Sequence, residues 1–282
     1  MKIVSTVAVI AVFVIVIVFC IISVLTQKNT EIKEKANFNH IEEIVTEEAT
    51  IAIQKPIILN TEVEEDKKDD EVVLLKESSK GVSQNQTEII TYQTTYYQTH
   101  SVSDLFSMNA DCFGWISIAG TNISYPIMHT LNNPQKYLHR NFYGEYSQSD
   151  VPFLDSRCSS DSTNLIVYGH NMNNGTMFAD LCKYTDYSYF TQHPTVILET
   201  ENDVSVYTVF AVMKAKADDD WYRFITADIK REYDSKIKYA KSHSLYDSGI
   251  TPECNKQLLT LSTCYGGNSN NNNRILVLAV EN

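Results

Sequence analysis

Polarity along the chain falls into three textures. From Ile3 to Leu25 there are 23 consecutive uncharged residues dominated by Val and Ile. As a helix at 1.5 Å per residue this run reaches roughly 34 Å, enough to cross a bilayer core. It predicts an uncleaved membrane anchor over residues 1–27. A cleaved signal peptide is the competing reading, but the apolar run exceeds a usual h-region and no Ala-x-Ala-like site follows it. Val18 and Phe19 ahead of Cys20 also fit a lipoprotein cleavage site poorly, since small residues normally precede that cysteine. Residues 28–100 carry dense runs of charge: Glu62 to Glu71 alone holds seven acids and two lysines. Such composition predicts a solvated stalk or partly helical linker, and leaves open whether its last part packs on the domain that follows.

After residue 100, aromatics, alternating runs and turn residues appear together. Stretches rich in Val, Ile, Leu, Thr and Tyr predict strands at 114–118, 124–128, 163–168, 195–200, 204–214, 257–263 and 275–280. Between 227 and 243, Ile229, Tyr233, Ile237 and Ala240 recur every three or four residues with Lys, Arg and Glu between them, the pattern of one amphipathic helix. Many short strands and few helices make residues 101–282 a mostly β domain, a barrel or sandwich with helical insertions.

The net charge of −12, from 23 basic and 35 acidic residues, is spread as −7 over residues 28–100 and −6 over 101–282, offset by Lys2. Without a basic stripe, nucleic-acid binding is excluded as the expected role. Lys28, Lys33 and Lys35 follow the apolar run, against Lys2 before it, so the positive-inside rule leans toward a cytoplasmic C-terminus.

Three polar residues stand at strand ends, where a rigid scaffold can present reactive groups. His170 lies just past the strand 163–168, Cys264 closes the strand 257–263, and Arg274 opens the next strand. If the last two strands are hairpin neighbours, Cys264 and Arg274 meet despite the nine residues between them. A thiol nucleophile, a proton carrier and a cationic oxyanion donor are what acyl transfer requires. Each residue alone also has an ordinary reading, as a small buried hydrophobe, one of seven histidines, or a surface charge. Cys112, Cys158, Cys182 and Cys254 have neither C-x-x-C nor Cys/His zinc spacing, and nothing in them requires a disulfide.

Thr260-Leu-Ser-Thr-Cys264, followed by Arg274 and preceded by Tyr168-Gly-His170-Asn171, resembles the signature of the sortase family. Gly114-Trp-Ile-x-Ile118, Gly120-Thr-Asn-Ile-x-Tyr-Pro126, Tyr137-Leu138, Asn141-Phe-Tyr-Gly144 and Gly169-His-Asn-Met172 resemble class B sortases in particular. The likeness covers residues 101–282, and the Asn-rich stretch 268–273 departs from it.

The resemblance implies an eight-stranded sortase-type β barrel with a long helix between its sixth and seventh strands, held outside a Gram-positive cell membrane by a single span. This exterior placement conflicts with the charge rule. It implies a cysteine transpeptidase in which Cys264 attacks the Thr carbonyl of a sorting motif of the Asn-Pro-x-Thr or Ser/Pro-Pro-x-Thr type. His170 would carry the proton and Arg274 would hold the carbonyl oxygen. Ser262 and Thr263 would flank the groove on alternate sides, with at most one touching substrate. The expected partners are sorting-signal peptides of secreted surface proteins, a peptidoglycan or pilin amine, and membrane lipid through the anchor. No metal, cofactor or nucleic acid is expected, and the chain is expected to be a monomer. Other wall-directed cysteine enzymes fit less well: an L,D-transpeptidase carries Ser-His-Gly-Cys, and a papain-like amidase places Cys before His, whereas here His170 precedes Cys264. A non-catalytic adhesin or sensor would leave the whole spacing as coincidence.

Overall fold

The computed structural model describes residues 2–45, 47–59, 89–266 and 272–282. The chain divides into two compact units, Glu47–His100 and the remainder. The smaller unit is an antiparallel pair, β1 (Glu47–Leu59) with β2 (Ile89–His100), in which Ile51 faces Tyr97. The acidic run 62–71 lies outside the described residues.

The larger unit is a closed barrel of β3 (Cys112–Ser117), β4 (Ser124–Met128), β5 (Phe153–Leu154), β6 (Asn164–Tyr168), β7 (Thr195–Thr200), β8 (Val204–Lys216), β9 (Leu258–Cys264) and β10 (Asn273–Glu281). They run round it in the order β10-β8-β7-β3-β4-β5-β6-β9. The seven strands expected from the sequence are all present. The eighth, β5, has only two residues and pairs Phe153 with Tyr168 and Leu154 with Val167.

The near-continuous apolar character of β9 and β10 has a packing reason, because both faces of these strands are covered. Leu259, Leu261, Ile275 and Val277 fill the barrel interior with Val167 and Val212. Leu258, Leu276, Leu278 and Val280 face outward into a second core beneath the long helix. That helix, α4, contributes Tyr233, Ile237 and Ala240 to this core, one stripe at helical spacing. It spans Lys230–His243, three residues later than the periodicity predicts. The Ala227 N–H is instead spent on Thr163 Oγ1 at 3.0 Å, and Ile229 is extended and exposed. The outer core also holds a closed polar chain: Trp221 Nε1 donates to Thr260 Oγ1, Thr260 Oγ1 to Asn164 Oδ1, and Asn164 Nδ2 to the Phe224 carbonyl, at 3.0, 2.8 and 2.8 Å. Every buried group in it has a partner, which fixes the segment 220–224 against β6 and β9.

The N-terminal helix α1 runs Lys2–Ile44, well past the expected anchor. Its apolar side chains from Val12 to Leu25 are exposed, and it is long and apolar enough to cross a membrane. Farther along, the helix docks on the barrel unit. Ile41 and Val45 are buried with Leu105, Trp115, Met128 and Val151, and Phe38 meets Tyr125 edge-on at 4.9 Å. Glu34 accepts hydrogen bonds from Ser147 Oγ, the Gln148 N–H and Ser149 Oγ at 3.1, 2.6 and 2.8 Å. The stretch from 34 to 45, inside the segment expected as a stalk, is therefore part of the packed unit.

Candidate active site

Burial stops abruptly at the end of β9. Leu258 to Thr263 are all buried, and Cys264 is exposed. On the antiparallel side, the register sets Arg274 directly opposite Cys264. The Tyr265 N–H to Asn273 carbonyl bond, 3.0 Å, carries the pairing one step further into the loop. On the other side β6 runs parallel to β9 with Tyr168 opposite Ser262. Two further bonds stitch the residues beyond: Gly169 N–H to the Ser262 carbonyl at 3.1 Å and Thr263 Oγ1 to the Gly169 carbonyl at 2.7 Å. A side chain on Gly169 would come within 2.6 Å of the Phe178 ring, so only glycine fits. His170 thus leaves β6 at the end of the barrel where Cys264 leaves β9. Its carbonyl accepts the Phe178 N–H at 2.8 Å.

Asn171 ties this corner to the thiol-bearing strand: its Nδ2 donates to the Cys264 carbonyl at 3.0 Å and lies 3.3 Å from Cys182 Sγ. Cys182 is pushed up to about 11 by burial and by the neighbouring Cys264, which keeps it a protonated thiol at neutral pH. Burial pushes Cys112 up to about 12 and Cys158 up to about 11. All six cysteines are free thiols.

Ser262 and Thr263 are both buried, and both hydroxyls are engaged inside the protein. Ser262 Oγ lies 2.7 Å from the Tyr222 hydroxyl, and Thr263 Oγ1 is on the Gly169 carbonyl. Burial pushes Tyr222 up to about 12 although the Arg274 charge opposes it. Tyr222 stacks on Tyr168 at 6.0 Å, and Tyr168 donates to Asp155 Oδ2 at 2.8 Å. Asp155 takes two hydrogen bonds from the Arg157 side chain, at 2.8 and 2.7 Å. Burial favours its neutral form, but Arg157, the Arg157 backbone N–H and Tyr168 together hold it below the usual carboxylate range. Arg157 in turn donates to the Tyr222 carbonyl at 2.7 Å, so this network braces the aromatic wall beside Arg274.

Sequence reasoning overlooked one group beside His170. Asp150, in the loop between β4 and β5, is buried with φ 51°, and its Oδ2 contacts His170 Nε2. His139 Nδ1 lies 3.5 Å from Oδ1 of the same carboxylate, and the two imidazoles stack at 6.0 Å. In the sequence Asp150 belongs to a polar Ser-Gln-Ser-Asp turn, and only loop closure brings it to the histidine. The stretch 268–273 is described only from Asn272 onward, so its expected departure from the family falls mostly outside the described residues.

An exposed thiol, an imidazole and a guanidinium gathered at one rim of a barrel make a site suited to attack on a carbonyl. The sortase domain profile matches residues 116–282. Sortase B of Listeria monocytogenes is 33% identical over 165 residues, covering 57% of this chain and 65% of that protein, so the match spans just under two thirds of the relative. Sortase B of Staphylococcus aureus is 30% identical over 179 residues, covering 62% of this chain and 72% of that one. A solved S. aureus sortase B–substrate complex superposes with a TM-score of 0.59 at 27% identity, over 64% of this chain and 83% of that one. The structure of Clostridium perfringens sortase B gives 0.59 at 36% identity, over 64% and 100%. The chain belongs to the sortase family, with class B members as its relatives.

Proposed function

We propose that the protein joins secreted proteins to a cell-envelope amine through a thioester on Cys264. The Cys264 sulfur attacks the Thr carbonyl of a C-terminal sorting motif, and Arg274 donates N–H groups to the oxygen that becomes negative. As the tetrahedral species collapses, the C–N bond breaks and His170 gives the departing amine its proton. An incoming primary amine then loses its proton to His170, attacks the thioester carbon, and expels the Cys264 thiolate. Sorting motifs of the Asn-Pro-x-Thr or Ser/Pro-Pro-x-Thr type are the proposed donors. A peptidoglycan cross-bridge amine or a pilin lysine is the proposed acceptor.

The observation that carries this reading is the β9–β10 register, which sets Cys264 opposite Arg274 while β6 delivers His170 to the same rim. That the S. aureus relative was solved as a substrate complex supports a substrate-binding role for the same barrel here. The proposed setting is the outer face of the cell membrane, with the apolar part of α1 as the single span and the chain a monomer. Mass spectrometry of the full chain in detergent, after incubation with a panel of sorting peptides, tests the reading. A peptide-sized adduct on Cys264, cut after Thr and absent from Cys264→Ala, is expected. Turnover retained by Cys264→Ala would reject the thiol mechanism.

A further inference from the structure

We propose that His139, Asp150 and His170 form a binding site for a zinc-like divalent transition metal. One ligand atom from each lies within 4.8 Å of the other two. The Asp150 side chain is only 3% exposed. Among the described residues no hydroxyl or backbone N–H donates to either of its oxygens. A carboxylate withdrawn from water ordinarily collects such donors, because burying the charge without them is costly. Here its two oxygens face imidazole nitrogens alone, His170 Nε2 on one and His139 Nδ1 on the other.

The loop holds this geometry without help from His170. Ser147 N–H bonds the His139 carbonyl at 3.1 Å and Val151 N–H bonds the Arg140 carbonyl at 3.0 Å. Both His139 and Asp150 sit at positive φ, 73° and 51°, a backbone cost that non-glycine residues rarely bear. Two imidazoles and a carboxylate with a fourth position open to water match a three-ligand zinc set, whereas calcium and magnesium favour oxygen cages. Tetrahedral ligands about 2.0 to 2.1 Å from zinc lie roughly 3.4 Å apart, so the direct Asp150–His170 contact must open to admit the metal while His139 closes on it. His139, whose side chain is 58% exposed, has the freedom to swing inward.

A metal here occupies the imidazole that the proposed reaction uses for proton transfer. Zinc would therefore arrest turnover reversibly; this consequence, unlike the site itself, rests on the assignment of His170. Equilibrium dialysis of the full chain in detergent against zinc chloride, followed by elemental analysis, should find one equivalent bound. Calcium should not displace it. His139→Ala, Asp150→Ala and His170→Ala should each lose that equivalent while keeping the near-ultraviolet circular dichroism of the folded chain, and Cys264→Ala should keep it. Cobalt in place of zinc should give a spectrum free of thiolate charge transfer, a readout that a misfolded variant cannot mimic. At ten times its Kd, zinc should slow peptide cleavage by the unsubstituted chain roughly tenfold, the factor 1 + [L]/Kd, with recovery in EDTA. No bound zinc, zinc retained by all three variants, or zinc lost with Cys264 would overturn the site. One equivalent bound through the three ligands with turnover unchanged would uphold the site and reject proton transfer by His170.

Discussion

Arg274 separates the proposed chemistry from other thiol mechanisms, because a cysteine and a histidine are common to all of them. Its planar fork can hold a carbonyl oxygen and a neighbouring backbone group together, which a lysine ammonium reproduces poorly. Removing one preorganised oxyanion donor costs about 10² to 10³ in rate. Arg274→Ala is therefore expected to lower kcat/KM for peptide cleavage by on the order of 10² or more, and Arg274→Lys by at least about tenfold. Near-wild-type cleavage by Arg274→Ala would move the oxyanion donor to backbone N–H groups around Cys264. A second prediction at this scale concerns Asp155. Its carboxylate is favoured in the folded state, so its contribution to stability is present above the unfolded pKa of about 3.9 and is lost as pH falls through the folded value. Asp155→Asn should flatten the acid limb of the stability curve below about pH 4, read by denaturant titration at several pH values. An acid limb as steep as that of the unsubstituted chain would show that other carboxylates set it.

Among the elements, the second half of α1 is the one whose packing most changes the picture drawn from composition. Ile41 is 3% exposed in a core shared with Trp115 and Met128, whereas Ile32, nine residues earlier on the same helix, is 67% exposed. Ile41→Ala should cost about 2 to 5 kcal/mol in chemical denaturation, while Ile32→Ala should stay within about 0.5 kcal/mol. Equal effects would mean that the helix does not dock. This docking had a legible signal: Phe38, Ile41 and Val45 recur at spacings of three and four, but Glu42 and Glu43 between them and the Lys and Glu residues before them read as solvated linker. The central strands were legible because two-sided burial writes itself as runs of Val, Ile and Leu. Strand β5 was not, since two residues carry no period, and the β1–β2 pair was not, since a long connection separates its partners. Cys264, His170 and Arg274 could be singled out because each stands where a strand pattern stops. Asp150 could not, because its neighbours come from loop closure and no local pattern encodes that.

For the whole molecule, the membrane reading sets two rules against each other. The lysines after the apolar run favour an interior C-terminus, while the proposed substrates require an exterior one. Protease added to intact cells that make the full chain should cut within residues 28–100 and release the barrel, as followed by immunoblot. Complete protection would reverse the topology. The continuity of α1 has a further consequence in that setting. Between Leu25, at the end of the exposed apolar stretch, and Glu34, the residue that grips the Ser147–Ser149 loop, the helix is unbroken. Nine residues at 1.5 Å each make this a post of about 14 Å, stiff rather than chain-like. With the proposed span in a bilayer, the barrel would be carried at a set height above the lipid and could not roam on a tether. Its proposed substrates would then be confined to chains still held near the membrane plane, and a partner tens of ångströms farther out would have to be brought down to it.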